Sequence, residues 1–259
     1  MRGRSLMIAG LLTAAFAGQA AAQVTVVGSP HDLSAPAGGL DNDEVCVYCH
    51  TPHGGNNATG PLWNKLAQGL AYDTYDATTT IDGTILGTLD KVSLACLTCH
   101  DGTQAPDVVI NAPNSGFDGV GGGDGLTETK LSDKLALTGA PNIGGAGGTD
   151  LTNDHPIAIQ YGGYNPGTGV IDPDINSANL QSAPGTLGTI WWVETGTTPL
   201  VRNKEDLILY TRDNGGDQPF VECGTCHDPH AGDTTLTTEV DFLRISNTGS
   251  DLCLACHIK

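Results

Sequence analysis

All eight cysteines of the chain fall into one pattern, C-x-x-C-H, which occurs four times. The copies are Cys46-Val47-Tyr48-Cys49-His50, Cys96-Leu97-Thr98-Cys99-His100, Cys223-Gly224-Thr225-Cys226-His227 and Cys253-Leu254-Ala255-Cys256-His257. In c-type attachment two thiols at this spacing add to the vinyl groups of a haem, and the histidine after the second cysteine reaches back to ligate the iron. A single C-x-x-C also fits a zinc knuckle or a thioredoxin-like redox pair. Zinc does not demand a histidine directly after every second cysteine, and a disulfide framework does not pair all its cysteines so close in sequence. The expected cofactor is four covalently bound haem c groups, with His50, His100, His227 and His257 as proximal iron ligands.

Four histidines remain: His31, His53, His155 and His230. The only two methionines, Met1 and Met7, lie in the N-terminal segment read below as a signal peptide. Bis-histidine iron at every haem is the economical expectation, and it implies low reduction potentials, because a Met ligand is what raises them. His53 and His230 each stand three residues after a proximal histidine, in Cys-His-Thr-Pro-His and Cys-His-Asp-Pro-His. A residue there stays on the proximal side of its own porphyrin. Pro52 and Pro229 also bias Thr51 and Asp228 away from helical dihedrals, so each of these histidines is expected to ligate a neighbouring haem. His31 and His155 complete the set. His31 is the candidate for a ligand donated between subunits, the alternative being a haem of its own module. With every iron closed by histidine there is no position for substrate, and no catalytic residue is assigned.

These sites need a scaffold, and the sequence repeats one. The first and third motifs share the second histidine, while the second and fourth share Ser93-Leu94-Ala95-Cys96-Leu97 and Ser250-Asp251-Leu252-Cys253-Leu254. A duplicated two-haem module follows, at 23–110 and 151–259, separated by a Gly-rich loop region at 111–150 that contains Gly121-Gly122-Gly123 and Gly144-Gly145-Ala146-Gly147-Gly148. Thr189–Glu194 and Asp206–Thr211 read as short strands, together a β-hairpin near 189–211. Asp124, Asp172 and Asp174 match no calcium-loop spacing and read as solvated turns.

Arg2 and Arg4, the apolar stretch Leu6 to Gly18 and Ala20-Ala21-Ala22 form an expected signal peptide at 1–22. No cysteine stands at the cleavage point, so no lipid anchor is indicated, and no later run is long enough for a membrane span. Aromatics make up only 5% of residues against 36 glycines and 14 prolines, a poor recipe for a conventional core. Haem would supply the missing apolar surface. The expected fold is a mostly irregular multihaem cytochrome c, with short helices at the haem sites and a few short β-strands. The net charge of -18 excludes nucleic acid as a partner, since binding it needs a basic face.

The segments Val45–His53, Asn153-Asp154-His155-Pro156 and Ser250–His257 resemble the doubled C-x-x-C-H multihaem cytochromes. Four haems and this order of histidines are most similar to the OmcE-type extracellular cytochrome filaments. That resemblance implies a secreted polymer at the cell surface or beyond it, in which haems stack from one subunit to the next and carry electrons to redox partner proteins, minerals, electrodes or other cells. The alternatives are a monomeric periplasmic electron shuttle and, less favoured, a multihaem reductase.

Overall fold

In a computed structural model of the chain the described residues are 26–34, 44–67, 69–75, 88–106, 108–111, 129–130, 142–163, 172–196, 202–212, 216–231 and 242–258. The expected signal peptide, Gly121-Gly122-Gly123 and Asp124 lie outside them. Among the described residues each C-x-x-C-H carries a short helical segment. The first motif sits on a 3-10 turn, Val45–Tyr48. The second closes α1, Lys91–His100. The third is α2, Cys223–Cys226, and the fourth ends α3, Asp251–Cys256. The chemistry requires this, because residues three apart share one helix face and both sulfurs of a motif then point the same way.

Three motifs leave their helix in the same manner. After the first, the Thr51 N–H donates to the Leu62 carbonyl at 2.8 Å and the Asn64 N–H donates to the Cys49 carbonyl at 2.9 Å. After the third, Asp228 donates to Phe242 at 2.8 Å and Arg244 donates to Cys226 at 2.9 Å. The fourth is bracketed likewise, by Ile258 on Asp174 at 2.9 Å and Asn176 on Cys256 at 2.7 Å. Leu62 and Phe242 hold equivalent places and both take a positive φ, 56° and 68°, a conformation that costs a branched or bulky residue free energy. The second motif differs. His100 stays helical, and its carbonyl accepts from Ile143 at 2.9 Å.

Apart from 3-10 turns at Gly145–Gly147, Tyr161–Gly163, Ser177–Asn179 and Thr248–Ser250, the other elements among the described residues are β-strands. Val108–Val109 (β1) pairs antiparallel with Thr129–Lys130 (β2). Ile159–Gln160 (β3), Leu180–Gly185 (β4), Gly188–Val193 (β5), Leu207–Arg212 (β6) and Gly216–Val221 (β7) form an antiparallel sheet in the order β3-β7-β6-β5-β4. The two strands read from sequence are β5 and β6, which pair with Trp191 opposite Leu209. β4 and β7 each contain a proline, which cannot donate to a ladder and masks a strand pattern in sequence. Pro184 sits on the edge strand, and Pro219 lies beyond the reach of β3, whose partners are Phe220 and Val221.

Trp191, Trp192 and Val193 are all buried in succession, so both faces of the sheet are covered. Trp191, Val193, Leu207 and Leu209 pack with Tyr161, Ala255 and Leu252, which seats α3 on one face. The opposite face meets α2. Gly224 approaches β6 so closely that a Cβ there would lie 2.4 Å from Tyr210 Oη and 2.9 Å from Val92 Cγ1. A second, smaller core of Val47, Tyr48 and Val109 supports the first motif.

Candidate functional site

Two imidazoles that share one metal ion each place a nitrogen roughly 2 Å from it, so their ring centroids stand about 6 Å apart. Three histidine pairs meet that separation. His31 and His100 have centroids 6.0 Å apart, His50 and His230 6.2 Å, and His155 and His257 6.3 Å. Each pair joins one histidine of a C-x-x-C-H to one of the four other histidines, as iron ligation from opposite faces of a porphyrin requires. His53 and His227 form no further pair of this kind among the described residues, though His227 lies near enough to His31 and His100 for their charges to act on one another. His31, the candidate for donation between subunits, thus lies against His100 of its own chain. The His230 ring lies against His50 of the first motif.

Nδ1 of the ring is engaged in most of these pairs. Nδ1 of His31 lies 3.3 Å from the Pro229 carbonyl and that of His155 lies 3.0 Å from the Pro156 carbonyl. The His50 ring is held by the Pro61 carbonyl, and His230 Nδ1 stands 3.5 Å from Asp228. In the tautomer with the proton on Nδ1, Nε2 is left as the donor atom for iron. Burial lowers the pKa of His31 and His50, which favours the neutral form a metal needs. Trp63 meets the His50 ring edge-on at 5.7 Å and donates its indole N–H to Thr98 Oγ1 at 3.3 Å, tying the first motif to the second.

Three of the buried thiols are held against ionisation. Burial pushes Cys49 and Cys256 up to about 12 and Cys226 to about 11, whereas a thioredoxin-like motif needs a depressed pKa. No cluster of three or more His, Cys, Asp or Glu side chains gathers among the described residues, as a zinc knuckle would need. Two thiols and a histidine at each motif, with a second imidazole opposite at three of the four, fit haem c. Asp172 accepts the Asp174 N–H at 2.8 Å, an ordinary turn contact.

Between the second and third motifs lies a buried polar junction that the motifs do not announce. Ser93 Oγ donates to Glu222 Oε2 at 2.6 Å and accepts the Cys223 N–H at 3.1 Å. Arg212 donates through Nε to Glu222 Oε1 at 3.0 Å, through a second N–H to the same oxygen, and through Nη1 to the Thr88 carbonyl at 2.7 Å. Cys96 and Cys223 come within hydrogen-bonding contact there, a contact that raises the pKa of the first thiol and lowers that of the second.

Residues 218–259 match the family model for the doubled CXXCH motif. No curated protein and no solved structure matches the chain. The matched motif supports a multihaem c-type cytochrome, a class in which covalently bound haem c serves electron transfer.

Proposed function

We propose that the chain is a secreted electron carrier holding four bis-histidine haems, one at each C-x-x-C-H, and that it performs no substrate chemistry of its own. The observation that carries this reading is the set of three facing imidazole pairs at 6.0 to 6.3 Å, each built on a C-x-x-C-H. In this reading His100, His50 and His257 take His31, His230 and His155 as their distal partners. Haem supplies the one-electron chemistry. The protein contributes the thioether sulfurs, the orientation of each imidazole through its Nδ1 partner, and the spacing of the sites. The contact between Cys96 and Cys223 would draw the haems of the second and third motifs together, and His230 would link the third motif to the first, giving electrons a route among these three motifs.

His53 and His227 extend the reading to assembly. Both are exposed, and they are the two histidines left over. His53 of one subunit closing the iron held by His227 of the next is a head-to-tail contact, which repeats into a filament unless its rotation closes a ring. This agrees with the resemblance to OmcE-type filaments and moves the donated ligand from His31 to His53. Electron microscopy of the purified protein, alone and as His53→Ala, is the test. Filaments in the first and none in the second are expected. A native protein that stays monomeric with every haem closed would make it a soluble shuttle, and carbon monoxide binding to reduced filaments would point to a reductase.

A further inference from the structure

Three cationic side chains are withdrawn from solvent among the described residues: Lys65, Arg212 and Arg244. Arg212 is neutralised by Glu222, and Arg244 stands 3.5 Å from Asp228. Lys65 is fully buried and makes no ion pair with a carboxylate among the described residues. Its Nζ donates instead to the carbonyls of Pro106 and Val108, both at 2.7 Å, the length of a charge-assisted bond.

The chain fixes this charge beside the first motif. Asn64, the preceding residue, donates its N–H to the Cys49 carbonyl at 2.9 Å and its Nδ2 to the Val47 carbonyl at 2.7 Å. The Lys65 carbonyl accepts from Asn56 Nδ2 at 3.0 Å. The Asn64 bonds hold Lys65 to the backbone on either side of Tyr48, within the motif that carries the Cys49 sulfur. Once haem is attached, that sulfur is bonded to the porphyrin edge.

Resting on the haem reading above, we propose that Lys65 is a fixed cation that sets the reduction potential of the haem attached at Cys46 and Cys49, and holds it above the other three. Reduction removes one positive charge from the iron site, so a nearby cation favours the reduced state. The arginines near the second and third motifs give no comparable push, because each is offset by its carboxylate. A unit charge acting over about 10 Å at an effective dielectric of about 20 changes a one-electron equilibrium roughly tenfold, which is about 59 mV.

The test is a redox titration of the haem-loaded full chain followed by paramagnetic NMR, with the first haem's methyl groups assigned through contacts to Val47 and Trp63. In the native protein the first haem is expected to have the highest of the four potentials. Lys65→Gln retains N–H donors but not the charge, and is expected to lower that haem's reduction equilibrium about tenfold while the others move less. Lys65→Arg is expected to keep the potential near its native value. A different haem at the top of the native series overturns the proposal without any variant. So does an unmoved first haem in Lys65→Gln, or a shift in Lys65→Arg as large as that in Lys65→Gln. Failure of the underlying haem reading would show separately, as a protein without covalently bound haem at Cys46 and Cys49.

Discussion

Arg212→Met tests the junction between the second and third motifs. In the native chain the Glu222 carboxylate is buried and shared by Arg212 and Ser93, and burial pushes its pKa up while those two partners pull it down. Removing Arg212 leaves a buried carboxylate with half its support, and breaking a buried pair from one side costs about 3–5 kcal/mol. For a chain of this size each kcal/mol moves the midpoint by about 2–4 °C, so a fall of roughly 6–20 °C at neutral pH is expected. The sign of the pH dependence follows from the direction of the shift. A carboxyl whose folded pKa lies above its unfolded value contributes stability below the unfolded pKa and loses it as pH rises through the folded one. Without Arg212 the folded pKa climbs further, so the variant should recover stability in mild acid. Arg212→Met with Glu222→Gln should recover much of it at neutral pH, since the buried charge is gone. Circular dichroism melts of the haem-loaded protein at two pH values measure all of this. A single variant melting within about 2 °C of native at neutral pH, or a double variant no better than the single, would refute the reasoning.

His230→Ala should leave all four haems covalently attached but open the iron at His50, so that about a quarter of the haem becomes high-spin and binds carbon monoxide when reduced; opening at His227 instead would contradict the cross-motif pairing. Gly224→Ala forces a Cβ to within 2.4 Å of Tyr210 Oη and should cost about 1–3 kcal/mol in thermal melts, with Tyr210→Phe restoring part of the loss.

The chemistry was legible in the sequence because haem attachment is a local requirement, written in five adjacent residues. The helical segments at the motifs follow from the same spacing. β5 and β6 were legible from β-branched and aromatic runs. β4 and β7 were hidden by Pro184 and Pro219, whose tolerance depends on where neighbouring strands end. Counting histidines predicted eight ligands but not who meets whom, since His50 and His230 are brought together only by the folded chain. Glu222, Arg212 and Ser93 were invisible for the same reason: Ser93 and Glu222 lie 129 residues apart. Lys65 gave no signal either, as nothing in Trp-Asn-Lys-Leu distinguishes a buried cation from a solvated one.

The central claim is that each of the four motifs holds a haem closed by two histidines. Intact mass and haem stoichiometry of the purified assembled protein, combined with resonance Raman spectra in both oxidation states, test it most directly. Four covalently bound haems per chain, wholly low-spin when oxidised and when reduced, are predicted. Fewer than four haems, or a high-spin fraction in the native assembly, would contradict it.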